Sequence, residues 1–224
     1  FGKVLGGSAT TGAMAAARHG RRAAVITRTG EDPFGRFVHR TLRELGVDDR
    51  YVTAVAGLPT PVTFCELFPP DSFPLYFYRQ PKAPDLAIDA SELDLEEIAE
   101  VRVFWATVTG LSEEPSRHAH YAAWTARGRR PLSVLDLDYR PMFWSSREAA
   151  RAEVQRALPY VTIAIGNLDE CETAVGERDA RRAASALLDA GVELAVVKEG
   201  PNGVLAVTRD ELVQVAPLTV DVVN

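Results

Sequence analysis

Val161-Thr162-Ile163-Ala164-Ile165, running straight into Gly166-Asn167-Leu168-Asp169-Glu170, is the stretch on which the architecture turns. The first five residues are largely apolar and β-branched, so they read as a short strand covered on both faces. The texture then changes at once. From Asp169 to Val175 the chain reads as a short helix whose acidic first turn suits the positive end of the helix dipole. The same alternation extends in both directions. Upstream, strands at 101–107 and 132–137 alternate with helices at 115–127 and 146–157. Downstream, a helix at 180–190 leads to a strand at 194–198 and a hairpin-like pair at 204–208 and 212–215. Strands alternating with helices predict an α/β fold with a mainly parallel sheet covered on both faces. Such sheets bind ligands at the carboxyl ends of their strands, so the informative residues are expected just after strands.

Toward the N-terminus, Gly6-Gly7-Ser8 forms a turn into a small-residue helix over 9–18, with Ser8 or Thr10 as its expected cap and Gly20 as its stop. A strand is expected over 23–27 and a loop over 28–32. A helix follows over 34–45, closed by Gly46. Residues 51–88 differ. Alternating aromatic and β-branched runs, Val62-Thr63-Phe64-Cys65-Glu66-Leu67 and Leu75-Tyr76-Phe77-Tyr78-Arg79, are separated by corners at Pro69-Pro70 and Pro74. They predict a small antiparallel sheet inserted in the α/β chain. The expected organisation is a core of residues 1–50 and 89–224 carrying a β-rich lid of residues 51–88.

Composition narrows the partners. A net charge of −6 gives no support to nucleic-acid binding. The cluster Arg127-Gly128-Arg129-Arg130 reads as a solvated helix end. No run approaches the roughly 18 apolar residues of a membrane-spanning helix, and the N-terminus lacks the apolar region of a signal peptide. Cys65 and Cys171 lie far apart without metal or redox spacing and read as reduced, structural thiols, which points to a cytoplasmic protein. His118 and His120 are two apart and point to different faces of a helix, which argues against a metal site there. The chain opens on Phe1-Gly2-Lys3 and closes on a β-rich run over 219–224, so it is expected to be incomplete at both ends.

Several strand ends carry residue types suited to chemistry. Gly6-Gly7-Ser8-Ala9-Thr10 brings backbone N–H groups to a helix N-terminus, where hydroxyls or anions bind, although a plain tight turn would look the same. Arg79 and Arg140 each end or follow a strand, and a guanidinium fork suits a carboxylate or a carbonyl; a surface salt bridge is the alternative for both. Asp136 and Asp138 share a strand face and read as structural. Gly166-Asn167-Leu168-Asp169-Glu170 serves equally as a capped helix start or as a phosphate and metal site. Lys198-Glu199-Gly200-Pro201-Asn202-Gly203 is strong turn chemistry in its own right. No G-x-x-x-x-G-K-S/T loop occurs, which excludes a P-loop kinase, and no G-x-G-x-x-G opens a helix as in a dinucleotide-binding oxidoreductase.

Together these strings resemble the ribokinase-like (PfkB) family of carbohydrate kinases. Gly6-Gly7 with Gly20 and Gly30 is similar to the family's first signature, with Thr11 where the family has asparagine. Thr29-Gly30-Glu31-Asp32-Pro33-Phe34-Gly35 resembles its G-x-D-x-x-G turn, and Asn167 to Glu170 its N-x-x-E motif. The lid strings and Asp136-Leu137-Asp138-Tyr139-Arg140-Pro141-Met142-Phe143-Trp144 resemble the sugar-acid branch. Members of that branch phosphorylate 5-dehydro-2-deoxygluconate in inositol breakdown, or 2-keto-3-deoxygluconate.

The resemblance implies a three-layer αβα sandwich with a small β lid, and ATP-dependent, Mg²⁺-assisted transfer to a keto-deoxy sugar acid. It implies that Gly6, Gly7, Ser8, Thr11, Phe77, Arg79 and Arg140 bind the sugar acid. Asn167, Lys198, Gly200 and Gly203 would line the ATP site, and Glu170 would help organise Mg²⁺ through water. The family's base, an aspartate in a Gly-Ala-Gly-Asp loop, is expected beyond Asn224, so the catalytic residue is not named. Pairing of two copies through the lid is a further implication. A non-catalytic sugar-binding paralogue, suggested by Thr11, remains the alternative from another class.

Overall fold

The computed structural model describes residues 2–68 and 72–218. The expected corner at Pro69-Pro70 and the β-rich run over 219–224 lie outside the described residues. The chain divides into two compact units, Phe1–Ile88 with Leu218–Asn224, and Asp89–Pro217.

The first unit contains α1 (Ser8–Arg18), β1 (Thr27–Gly30), α2 (Pro33–Glu44), β2 (Val52–Val55), β3 (Val62–Cys65) and β4 (Leu75–Tyr78). Three sequence expectations are corrected here. Gly7, with φ of 101°, occupies the cap position of α1, and neither Ser8 nor Thr10 caps the helix through its side chain. The apolar run over 23–27 holds only an isolated bridge between Ala24 and Asp48. Regular pairing begins at Thr27, while the Val25 side chain packs with Leu42, Val47 and Val52. Residues Val52–Val55, expected in the antiparallel insertion, instead run parallel to β1. Among the described residues of 51–88, β3 and β4 form the antiparallel hairpin, with Val62 opposite Tyr78 and Cys65 opposite Leu75.

One carboxylate ties this unit together. Asp32 caps α2 by accepting the N–H groups of Phe34 (2.9 Å) and Gly35 (2.8 Å), and it accepts a third from Thr60 at 2.7 Å. The Thr60 hydroxyl in turn accepts the N–H of Gly30 at 2.8 Å. Burial alone would push the Asp32 carboxyl up, but the hydrogen bonds from Thr60, Gly35 and Phe34 outweigh it and hold it below the usual range.

The second unit contains α3 (Leu95–Glu100), β5 (Phe104–Thr107), α4 (Ser116–Arg127), β6 (Ser133–Asp136), α5 (Arg147–Ala157), β7 (Ile163–Asn167), α6 (Leu168–Val175), α7 (Ala180–Asp189), β8 (Leu194–Lys198), β9 (Val204–Val207) and β10 (Leu212–Val215). Its sheet has the order β10-β9-β8-β7-β6-β5. β5 to β8 are mutually parallel, while β9 and β10 return antiparallel. Leu135, Leu158, Val161, Ala164, Leu187, Val197 and Leu205 pack with Trp124 into one core.

Arg127 corrects the reading of its cluster as a solvated helix end. Its residue is 3% exposed. Nε donates to Ser133 Oγ at 2.7 Å, Nη1 to the carbonyls of Ile98 (3.1 Å) and Val101 (2.6 Å), and Nη2 to those of Arg102 (3.2 Å) and Pro131 (3.0 Å). Those five bonds use the five donors of a guanidinium. Burial, and after it the nearby Arg130 charge, push the Arg127 pKa down. The group nevertheless stays charged, as arginine does in proteins. Neutral carbonyls, without a carboxylate, solvate it.

Arg127→Met should therefore strand four carbonyls at once, while the Ser133 hydroxyl keeps its bond to the Arg130 carbonyl. We expect a loss of about 3 kcal/mol or more, read as a fall in the urea midpoint. An unchanged midpoint would mean that water replaces the guanidinium at little cost.

Candidate functional site

The carboxyl edge of the parallel strands gathers a chain of charges in the second unit. β7 passes into α6 without a loop: Asn167 is the last residue of the strand and the cap of the helix. Its side chain accepts the N–H of Glu170 at 2.9 Å, and the Glu170 carboxylate reaches back to accept the N–H of Asn167 at 2.7 Å. This reciprocal capping box folds Glu170 inward to 4% exposure. The turn is tight enough that a Cβ on Gly166 would lie 2.8 Å from Leu137 Cδ1 and 3.2 Å from Glu170 Cβ. A side chain there would crowd Leu137 first and the Glu170 stem second.

Two cations face that carboxylate. Lys198, the last residue of β8, brings Nζ to 3.6 Å from Glu170 Oε2. Arg140, following β6, brings Nη1 to 3.9 Å from Oε1 and Nη2 to 2.8 Å from Asp138 Oδ1. Burial pushes the Glu170 carboxyl up. The Asn167 N–H and the Lys198 charge oppose that, while Asp136 and Asp138 add to it. Beside it, burial and then the Glu170 charge raise the Cys171 thiol to about 12. That is the inert, reduced thiol expected of a core cysteine, whereas Cys65 is exposed.

Sequence reasoning missed Thr109. It lies just after β5 and donates its hydroxyl to Asp138 Oδ2 at 3.0 Å. Its position past a strand end was the available signal, but nothing in the local sequence marks Asp138, 29 residues away, as its partner.

The remaining turn is built on glycine. Gly203, with φ of 90°, would place a Cβ 2.1 Å from the carbonyl oxygen of Val215, so no other residue fits. Gly200, at φ 58°, opens the same turn, and Glu199 N–H donates to Gly203 O at 2.8 Å. Lys198 and Asn167 are register partners on β8 and β7. Asn167, Glu170, Lys198 and Arg140 are thus brought together, with Gly200 and Gly203 closing the turn that follows Lys198.

The other expected residues belong to the first unit. Gly6, Gly7 and Ser8 lead into α1, and Thr11, an exposed residue of its first turn, donates its N–H to Gly7 O at 2.8 Å. Phe77 is half-buried on β4 between the exposed Tyr76 and Tyr78. Arg79 leaves that strand and pairs with Asp85 at 2.6 Å.

Comparison with known proteins bears on this geometry. The profile described as pfkB family carbohydrate kinase matches residues 1–224. The chain is 32% identical over 215 residues to 5-dehydro-2-deoxygluconokinase of Geobacillus kaustophilus, covering 93% of this chain and 64% of that protein. It is 34% identical over 217 residues to the 5-dehydro-2-deoxygluconokinase of Photobacterium profundum, with 94% and 65% covered. The chain thus spans a little under two thirds of the length of these curated relatives. Among solved structures it resembles fructokinase from Vibrio cholerae O395 in its fructose, ADP and calcium ion bound form. The TM-score is 0.81 at 24% identity, covering 96% of this chain and 69% of that one. This likeness shows the ribokinase-like α/β fold expected from the sequence.

The Glu170 pKa carries a sign that can be measured. A carboxyl raised by folding favours the folded state while protonated, and that contribution is lost as pH rises through its folded pKa. Glutamine can keep the capping box. Glu170→Gln should therefore flatten the decline in stability as pH rises out of the ordinary carboxylate range, followed by urea unfolding. Lys198→Met should push the Glu170 carboxyl further up in a carbon-detected NMR titration. An unmoved titration would detach Lys198 from Glu170.

Proposed function

We propose a function from one premise: the chain belongs to the pfkB family of carbohydrate kinases. The full-length protein transfers a phosphoryl group from ATP to a primary hydroxyl of a keto-deoxy sugar acid, with 5-dehydro-2-deoxygluconate as its substrate. The observation that carries this reading is Arg140 at the carboxyl edge of the sheet, in one charge chain with Glu170 and Lys198. A guanidinium fork recognises a carboxylate, and an ammonium beside a glycine turn suits phosphates. The names of the relatives support the choice of sugar acid.

Within that reading, Arg140 holds the acid group of the substrate. In the first unit, Gly6, Gly7, Ser8, Thr11, Phe77 and Arg79 are the residues that the family resemblance puts forward for the sugar. Lys198, Asn167, Gly200 and Gly203 line the nucleotide, on the ammonium and the glycine turn that follow β8. The base that takes the hydroxyl proton is expected in the stretch after Asn224.

The residues fit a hydrated Mg²⁺ rather than a caged one. Glu170 offers a carboxylate already engaged by Asn167 N–H and Lys198. No group of three or more His, Cys, Asp or Glu among the described residues is arranged to hold a metal ion. Mg²⁺ retains several waters in such sites, so Glu170 would hold it through water. When bound, the ion neutralises charge on the phosphates.

The hairpin also suits pairing with a second copy. Phe64, Leu75, Tyr76 and Tyr78 are all exposed on β3 and β4, and apolar surface of that kind favours association. Among the described residues no helix is long and apolar enough to cross a membrane.

ATP consumption by the full-length protein, compared between 5-dehydro-2-deoxygluconate and 2-keto-3-deoxygluconate, tests the reading. We expect the first acid to be preferred, and Arg140→Ala to lower kcat/KM for it by about 100-fold. Absence of turnover with either acid would overturn the proposal and favour a sugar-binding paralogue.

A further inference from the structure

Arg140 is already neutralised before any guest arrives. Its Nη2 lies 2.8 Å from Asp138 Oδ1, its Nη1 lies 3.9 Å from Glu170 Oε1, and Nη1 also donates to the carbonyl of Tyr139 at 3.3 Å. Asp138 is not loosely placed. Thr109 donates to its Oδ2 at 3.0 Å and to its carbonyl at 3.3 Å, and its own N–H points at Asp136 Oδ1 from 3.4 Å. The Asp138 side chain is 16% exposed while the guanidinium side chain is 37% exposed. The anion is therefore the anchored partner and the cation the accessible one.

We propose that Asp138 is an internal counter-anion for Arg140, positioned by Thr109, that sets how readily this site accepts a carboxylate. The inference deepens the reading of Arg140 as the receptor for the acid group of the substrate. A carboxylate entering the site has two routes. It displaces Asp138 from Nη2, or it takes the donors still free on the guanidinium and sits near Asp138 and Glu170 as a third negative charge. Both routes cost binding energy, through a broken ion pair or through like-charge repulsion. The cost falls on every anion alike. A bare anion has nothing with which to offset it, whereas a sugar acid brings hydroxyls that bind elsewhere. Asp138 thus works as a specificity determinant by exclusion rather than by contact. Thr109 matters because a counter-anion free to rotate into solvent would not compete.

Acetate, a small carboxylate without hydroxyls, reads this competition without depending on the sugar. Its binding to ¹⁵N-labelled full-length protein can be followed on the Arg140 guanidinium signals, assigned by their loss in Arg140→Lys, at constant ionic strength. For Asp138→Asn the half-saturating acetate concentration should fall about fivefold, and for Thr109→Val about twofold. Thr109→Ser, which keeps the hydroxyl, should behave as the parent protein does. An unchanged or higher concentration in Asp138→Asn overturns the proposal. If that variant does not fold, an unchanged response in Thr109→Val overturns it equally. Failure of the kinase reading would appear separately, as absence of sugar-acid turnover in the parent protein.

Discussion

The second unit is organised around the cost of keeping one carboxylate out of water. Glu170 is buried, and a buried anion persists only when charges and hydrogen bonds replace its hydration. Each of its neighbours answers that need. The Asn167 N–H is available because β7 turns into α6 without an intervening loop. Lys198 arrives because β8 is the parallel neighbour in register with β7. Arg140 arrives from the strand on the other side. Gly166 leaves room at the turn, where a Cβ would press on Leu137 and come within 3.2 Å of Glu170 Cβ. The compensation is incomplete, since the carboxyl remains raised, with burial as the leading cause.

Much of this was legible in the sequence because its signals are local. Asn167 and Glu170 stand three residues apart, the spacing of a capping box, after an apolar run and before a helix. Turn glycines such as Gly203 announce themselves in the same way. The ordering of strands and helices from residue 101 onward follows from apolar periodicity, with ends displaced by a few residues. The first unit was harder. The apolar residues over 23–27 looked like a strand, but Val25 serves a core with Leu42, and the pairing falls on the more polar residues 27–30. Periodicity reports burial, and burial and ladder pairing need not coincide. Likewise, β2 looked like its aromatic neighbours in texture, yet its partner is β1, a choice made by topology rather than by composition.

Long-range polar pairing was the least legible part. Asp138 and Thr109 meet across 29 residues, as do Arg127 and the Ile98 carbonyl. A basic tetrapeptide at a helix end gives no hint that its first member points inward while Arg129 and Arg130 stay near solvent. What separates them is the space at the end of α4, where one carbonyl from α3 and three from two connections converge.

The Arg127 clamp has an evolutionary side. Four of its five partners are main-chain oxygens, which every amino acid supplies. The side chains at positions 101, 102 and 131 can therefore drift with little effect on the clamp, provided the backbone path is kept, whereas Ile98 is held by its own burial and the arginine by its five bonds. A clamp of this kind should leave a single invariant position surrounded by variable ones, the reverse of the covarying clusters left by side-chain networks.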